Sequence, residues 1–170
     1  MLGLCLPPDA APPCSQERLT RFTMLPWQNG EDMQILKCVP APPCGRSPAC
    51  SPLLPNRYGL GQKYDAHHDV GELDTLSGKQ LASDGGYRVV TALMYLTDTE
   101  EGGETAFPDS EWADPALAKG SWSECAQGCV AARARAGEAL VFYSITPANE
   151  IDPASMHTGC PVIKARPAFT

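Results

Sequence analysis

Proline restricts where this chain can be regular. Of its 17 prolines, six fall in residues 38–56 (CVPAPPCGRSPACSPLLPN) and four in residues 1–14. Proline has no N–H to give to a sheet ladder and clashes with the preceding turn of a helix, so neither stretch is expected to hold a helix or a central strand. Residues 1–14 read as a disordered N-terminal segment. Residues 38–56 read as an insert within one domain spanning 15–170. With 170 residues, 43% hydrophobic and 19% charged, the chain is long and apolar enough for a single domain with its own core.

Between the proline-rich stretches the apolar residues come in short, β-branched runs. Ser15 is placed to cap a short helix, with Glu17 in its first turn and Leu19 and Phe22 on one face, closed by Pro26. Met33–Lys37 reads as a strand that resumes at Arg57-Tyr58, with a further strand over Gln62–Val70. Arg88–Leu96 (RVVTALMYL) is unbroken and apolar, which predicts burial on both faces. Glu138–Ser144 and His157–Ile163 follow as strands, and residues 108–128 as a polar loop. The Gly102-Gly103 pair predicts a tight turn with an architectural role. Many short strands and little helix predict a mainly β domain, a sandwich or barrel.

The formal net charge of −7 excludes the basic face that nucleic acid requires. No apolar run nears the ~18 residues of a membrane span, and no secretory leader is legible. Five of the eight cysteines (Cys5, Cys14, Cys38, Cys44, Cys50) lie in the proline-rich stretches. Cys125 and Cys129 flank a loop, and the expectation is a disulfide between them. A zinc module built from Cys125 and Cys129 with Cys38, Cys44 and Cys50 is a further reading, disfavoured because structural zinc wants tighter, repeated spacing.

The three histidines are His67, His68 and His157. His67 and Asp69 are two apart on a predicted strand, so both side chains face one cavity while His68 points away. His157 lies 88 residues beyond Asp69, on another strand. Two imidazole nitrogens and one carboxylate oxygen, with open positions opposite, form the facial triad of non-haem iron(II) oxygenases. The competing reading is an isolated surface His-x-Asp pair and a hydrogen-bonded histidine.

Longer segments decide between them. RYGLGQKYDAHHDV (57–70), RVVTALMYLTDTEEGGETAFP (88–108), ARAGEALVFYS (134–144) and DPASMHTGCPVIK (152–164) resemble, in order and spacing, the core motifs of prolyl 4-hydroxylases of the plant and algal type. ERLTRFTMLPWQNGEDMQILK (17–37) resembles the segment before them. The resemblance implies a double-stranded β-helix (jelly roll), incomplete here at both ends, with iron(II) at its mouth on His67, Asp69 and His157. It implies hydroxylation of peptidyl proline to 4-hydroxyproline, coupled to decarboxylation of 2-oxoglutarate with O2, and L-ascorbate as reductant. It assigns Tyr58 and Thr91 to the 2-oxoglutarate pocket and Tyr64 to the substrate groove. It also implies the endoplasmic reticulum and a proline-rich polypeptide substrate in polyproline II form, for which Tyr64, Tyr87, Trp112 and Trp122 are candidate groove residues. For the two tryptophans, ordinary packing is the favoured reading.

Besides the insert at 38–56 and the incomplete ends, the chain departs from that pattern at one site position. Pro167 stands where the family carries a lysine, ten positions after the distal histidine, that pairs with the distal carboxylate of 2-oxoglutarate. Lys164 and Arg166 lie at odd offsets from it, and on a regular strand face away. The alternative to an enzyme is therefore a catalytically silent fold that binds metal or proline-rich peptide without turnover.

Overall fold

A computed structural model describes residues 14–31, 37–38, 57–58, 63–70 and 87–165. Residues 1–13 of the expected disordered segment 1–14, the insert beyond Cys38, Arg166 and Pro167 lie outside the described residues, and Cys14, expected to be disordered, is the first residue of a helix.

The first element is helix α1 (Cys14–Thr23). It begins two residues earlier than a cap at Ser15 would place it, so Ser15 lies in its first turn instead of capping it. Glu17 complements the helix N-terminus and pairs with Arg21 one turn on at 2.6 Å. The helix stops at Met24, which takes the left-handed conformation (φ 58°), and at Pro26, which cannot continue it. Phe22 faces solvent, 70% exposed, and not a packed helix face.

Ten strands follow: β1 (Lys37–Cys38), β2 (Arg57–Tyr58), β3 (Tyr64–His67), β4 (Val90–Met94), β5 (Thr99–Gly102), β6 (Thr105–Phe107), β7 (Val130–Ala132), β8 (Ala139–Tyr143), β9 (His157–Gly159) and β10 (Val162–Ala165). Their ladders run β3-β9-β6-β7, β4-β8, β5-β10 and β1-β2. Chain neighbours mostly belong to different sheets. That alternation, with antiparallel pairing in all but one ladder, agrees with the double-stranded β-helix expected from the sequence.

Three expectations need correcting. The segments around 37 and 57 do not form one interrupted strand, because β1 and β2 pair side by side and parallel. The strand expected over His157–Ile163 is two: Pro161 has no N–H to donate, and β9 and β10 join different ladders on either side of it. The apolar run Val90–Met94 is half-buried throughout. Among the described residues β4 pairs only with β8, and the burial on both faces expected of this run is not reached.

The two principal sheets meet across an aromatic contact. Phe107 on β6 packs edge-on against Phe142 on β8 at 5.1 Å, and Phe142 lies 4.8 Å from the His157 ring on β9. Thr91, Leu93 and Tyr95 share the β4 face turned toward this contact. At its far end Tyr95 Oη and Thr105 Oγ1 share a hydrogen bond of 2.9 Å between the sheets. A second small core of Ala106, Ala126, Ala131 and Cys160 lies behind β6, with Trp122, Cys125 and Cys129 packed against it.

The turn between β5 and β6 joins these parts. Gly102 and Gly103 both take φ 74°, and a Cβ on Gly102 would lie 2.2 Å from the Pro161 carbonyl oxygen. Only glycine fits, which bears out the architectural reading of this pair. Glu104, buried at 4% exposure, accepts hydrogen bonds from the Ser123 amide (3.1 Å) and hydroxyl (2.8 Å). Ser123 starts the short 3-10 turn Glu124–Ala126, and a disulfide from that turn, Cys125–Cys160, fastens it to the end of β9.

Candidate metal centre

His67 and His157 are register partners across the β3–β9 ladder, which sets their rings 4.4 Å apart. Asp69 lies just beyond the end of β3, in a bend. Strand alternation as read from the sequence puts His67 and Asp69 on one side, and the structure does so although the strand stops at His67.

Each imidazole has one nitrogen already committed. His67 Nδ1 faces the Asp65 carbonyl at 2.8 Å, and His157 Nδ1 faces the Ser155 carbonyl at 3.0 Å. A carbonyl oxygen only accepts, so each Nδ1 carries the proton and Nε2 is the nitrogen open to a metal. Those Nε2 atoms converge on Asp69 Oδ1, at 3.5 Å from His67 and 3.7 Å from His157. All three donor atoms lie within 4.8 Å of one another. Metal bonds of about 2.1 Å at right angles would set donors roughly 3 Å apart, so a small contraction closes the cage. Burial holds the His157 pKa below its ordinary value, against the opposing hydrogen bond to Ser155 and the charge of Asp69. A neutral imidazole is what metal ligation requires.

The donor set of two imidazoles and one carboxylate suits iron(II), and it leaves one side open. His157 and Asp69 are each 11% exposed, whereas His67 is 30% exposed and faces the mouth. Tyr64 lies over that mouth, 46% exposed, with its ring 4.3 Å from His67.

The other predicted residues fall in different places. Thr91, on β4, donates its hydroxyl to Asp69 Oδ2. It reaches the candidate centre through Asp69, a contact with no signal in the sequence. His68 points away as expected, and its Nδ1 lies 3.2 Å from Ser155 Oγ. That hydroxyl already donates to the Asp152 carbonyl at 2.7 Å, so it accepts from His68 and ties the ligand strand to the turn before His157. The side chain of Tyr58 lies outside the described residues. Lys164 faces away: it pairs with Glu100 on β5 at 2.5 Å, and that carboxylate raises its pKa. Tyr87 is half-buried. Trp112 and Trp122 lie 5.8 Å apart, with Trp112 Nε1 donating to the Cys129 carbonyl and Arg133 stacked over Trp122.

The cysteine expectation is overturned. Cys125 pairs with Cys160 and not with Cys129, which is the one free thiol among the described residues. With Cys125 consumed in a disulfide, the zinc reading loses one of its two thiolates on this loop. Sequence spacing favoured the near partner; the fold brings the end of β9 to the loop instead.

Known proteins give the same reading as the donor set. The family model described as the 2OG-Fe(II) oxygenase superfamily matches residues 53–170. Three Arabidopsis thaliana proteins are similar over 88% of this chain: probable prolyl 4-hydroxylase 10 (36% identical over 155 residues), probable prolyl 4-hydroxylase 4 (37% over 152) and prolyl 4-hydroxylase 2 (36% over 152). The matched region is 43%, 43% and 42% of those proteins, so the chain spans less than half the length of the curated relatives it matches. On the match to residues 53–170, this chain belongs to the 2OG-Fe(II) oxygenase superfamily.

Proposed function

We propose that this chain hydroxylates peptidyl proline to 4-hydroxyproline, coupled to oxidative decarboxylation of 2-oxoglutarate. The observation that carries the reading is the convergence of His67 Nε2, His157 Nε2 and Asp69 Oδ1 in a chain similar to several prolyl 4-hydroxylases. Bound iron(II) supplies the chemistry by which dioxygen, with 2-oxoglutarate as co-substrate, oxidises a C–H bond. The protein's part is to hold and to shield. His67 and His157 each present Nε2, with Nδ1 held by a carbonyl partner, and Asp69 presents Oδ1. Phe107 and Phe142 wall His157 on the inner side, which keeps water from that flank.

Tyr58 is assigned to the 2-oxo acid, and Thr91 to the rim of the same pocket by way of Asp69. Tyr64, exposed beside His67, is assigned to the peptide, whose proline ring packs on an aromatic face when held as polyproline II. L-Ascorbate is the proposed reductant. The endoplasmic reticulum is the proposed compartment, supported by the Cys125–Cys160 disulfide, which needs an oxidising environment. No helix among the described residues is long and apolar enough to cross a membrane.

The test is incubation of the purified chain with iron(II), 2-oxoglutarate, ascorbate and a poly-proline peptide, followed by amino-acid analysis of the peptide. Appearance of 4-hydroxyproline in step with succinate supports the reading. Iron retention without either product overturns it in favour of a silent binding fold, and a Pro167→Lys variant run alongside locates the defect if it alone turns over.

A further inference from the structure

We infer that Thr91 is a positioning residue of the metal centre, holding Asp69 so that only Oδ1 is presented to the ion; this rests on the metal-centre reading above. Asp69 lies two residues beyond the end of β3 and sits in a bend, so no ladder hydrogen bond fixes the direction of its carboxylate. Its two oxygens are chemically equal, and a carboxylate free to turn can offer both to a metal. Two bound oxygens would occupy an additional coordination position. A facial triad works only if three positions stay open, two for a 2-oxo acid and one for dioxygen.

The structure divides the two oxygens. Oδ1 faces both imidazoles, at 3.5 and 3.7 Å, while Oδ2 accepts the Thr91 hydroxyl. Thr91 is suited to this because it belongs to a different sheet from the histidines and is itself held firmly. Its β-branched side chain has few rotamers, and its register partner on β8 is Phe142, which packs on His157. One cross-strand pair therefore supports two ligands: Phe142 backs the His157 ring, and Thr91 orients the Asp69 carboxylate. The threonine hydroxyl has one proton to give, and Asp69 takes it.

The experiment is Co(II) titration of the metal-free chain, followed by visible absorption, which reads affinity and coordination number without turnover. Thr91→Val keeps the shape and removes the hydroxyl; Thr91→Ser keeps the hydroxyl. The Val variant is expected to bind Co(II) about 10- to 100-fold more weakly, with a spectrum shifted toward higher coordination, and the Ser variant to stay within about threefold of the parent. In an Asp69→Ala background, Thr91→Val should change nothing further, since the threonine acts through that carboxylate. Equal binding by the Val variant and the parent overturns the inference, as does an undiminished Val effect in the Asp69→Ala background. If Thr91→Val melts at a lower temperature without metal, Thr91→Ser against Thr91→Ala makes the same comparison with the γ-methyl absent from both. A folded parent that takes up no Co(II) defeats the metal-centre reading itself. A parent that binds cobalt but hydroxylates nothing defeats only the proposed activity.

Discussion

His67 and His157 face each other across the β3–β9 ladder as register partners, each with Nδ1 tied to the carbonyl two residues before it. The symmetry means that neither ring can turn without breaking a hydrogen bond, and both keep Nε2 toward Asp69.

Loss of either ring should therefore remove the ion and not merely loosen it. For His157→Ala we expect Co(II) affinity to fall by more than the roughly 100-fold that losing an outer hydrogen-bond partner costs, with no hydroxylation detectable. His68→Ala, by contrast, should keep the metal, because His68 turns away to Ser155. Titration of both variants beside the parent distinguishes the two roles.

The Cys125–Cys160 bridge closes a loop of 35 residues. Restricting the unfolded chain in this way contributes about 2–4 kcal/mol. The double variant Cys125→Ser with Cys160→Ser should lose that much in chemical denaturation, while Cys129→Ser should change stability by less than about 0.5 kcal/mol. A larger loss from Cys129→Ser would contradict the pairing.

Gly102 and Gly128 both have positive φ, at 74° and 81°, but their surroundings differ. At Gly128 an added methyl meets nothing within 4 Å, so Gly128→Ala should cost only about 1 kcal/mol from backbone strain. At Gly102 the same methyl would strike the Pro161 carbonyl, and β5 would have to part from β10. We expect Gly102→Ala to cost at least about 3 kcal/mol, or to prevent folding, with thermal melts of the two variants as the comparison.

Tyr95 couples the β4 ribbon to β6 through Thr105, which is 5% exposed. Tyr95→Phe leaves that buried hydroxyl without a partner and should cost about 1–3 kcal/mol. Burial, opposed by the bond to Thr105, raises the Tyr95 pKa above its ordinary value of 10.0. The folded chain then holds this proton more tightly than the unfolded chain. The associated stability is complete below pH 10.0 and declines as pH rises through the folded-state pKa. Denaturation across that alkaline range should show a shallower decline in Tyr95→Phe than in the parent.

Much of the centre was legible because strand geometry is simple. Alternation alone sends His67 and Asp69 one way and His68 the other, and the apolar runs mark β4 and β8 to within two residues. What was not legible depends on contacts between segments far apart in the chain. Eight cysteines allow roughly 105 complete pairings, and proximity in sequence favoured Cys129 over Cys160. The apolar run Val90–Met94 says that the strand is buried, but not whether both faces find cover. The resemblance assigns Thr91 to the 2-oxoglutarate pocket, and only the packing of β4 against the bend at Asp69 reveals its hydroxyl as the partner of Asp69 Oδ2. Pro161 is a visible breaker, yet the division of one apparent strand between two ladders follows from where those ladders lie.

The pairing of β3 with β9 holds one further consequence. Tyr64 opposes Gly159 and His67 opposes His157, so Asp65 and Ala66 together face Thr158 alone, and β3 carries one residue more than its partner. Tyr64 and His67 are three steps apart, an odd number, and on a regular strand without a bulge they would point to opposite sides. The bulge shifts the phase of the strand, bringing the tyrosine ring over His67. What places Tyr64 at the mouth is thus a count of residues and not the identity of any of them. The same residues paired in regular register, with no bulge, would turn the Tyr64 ring away from His67.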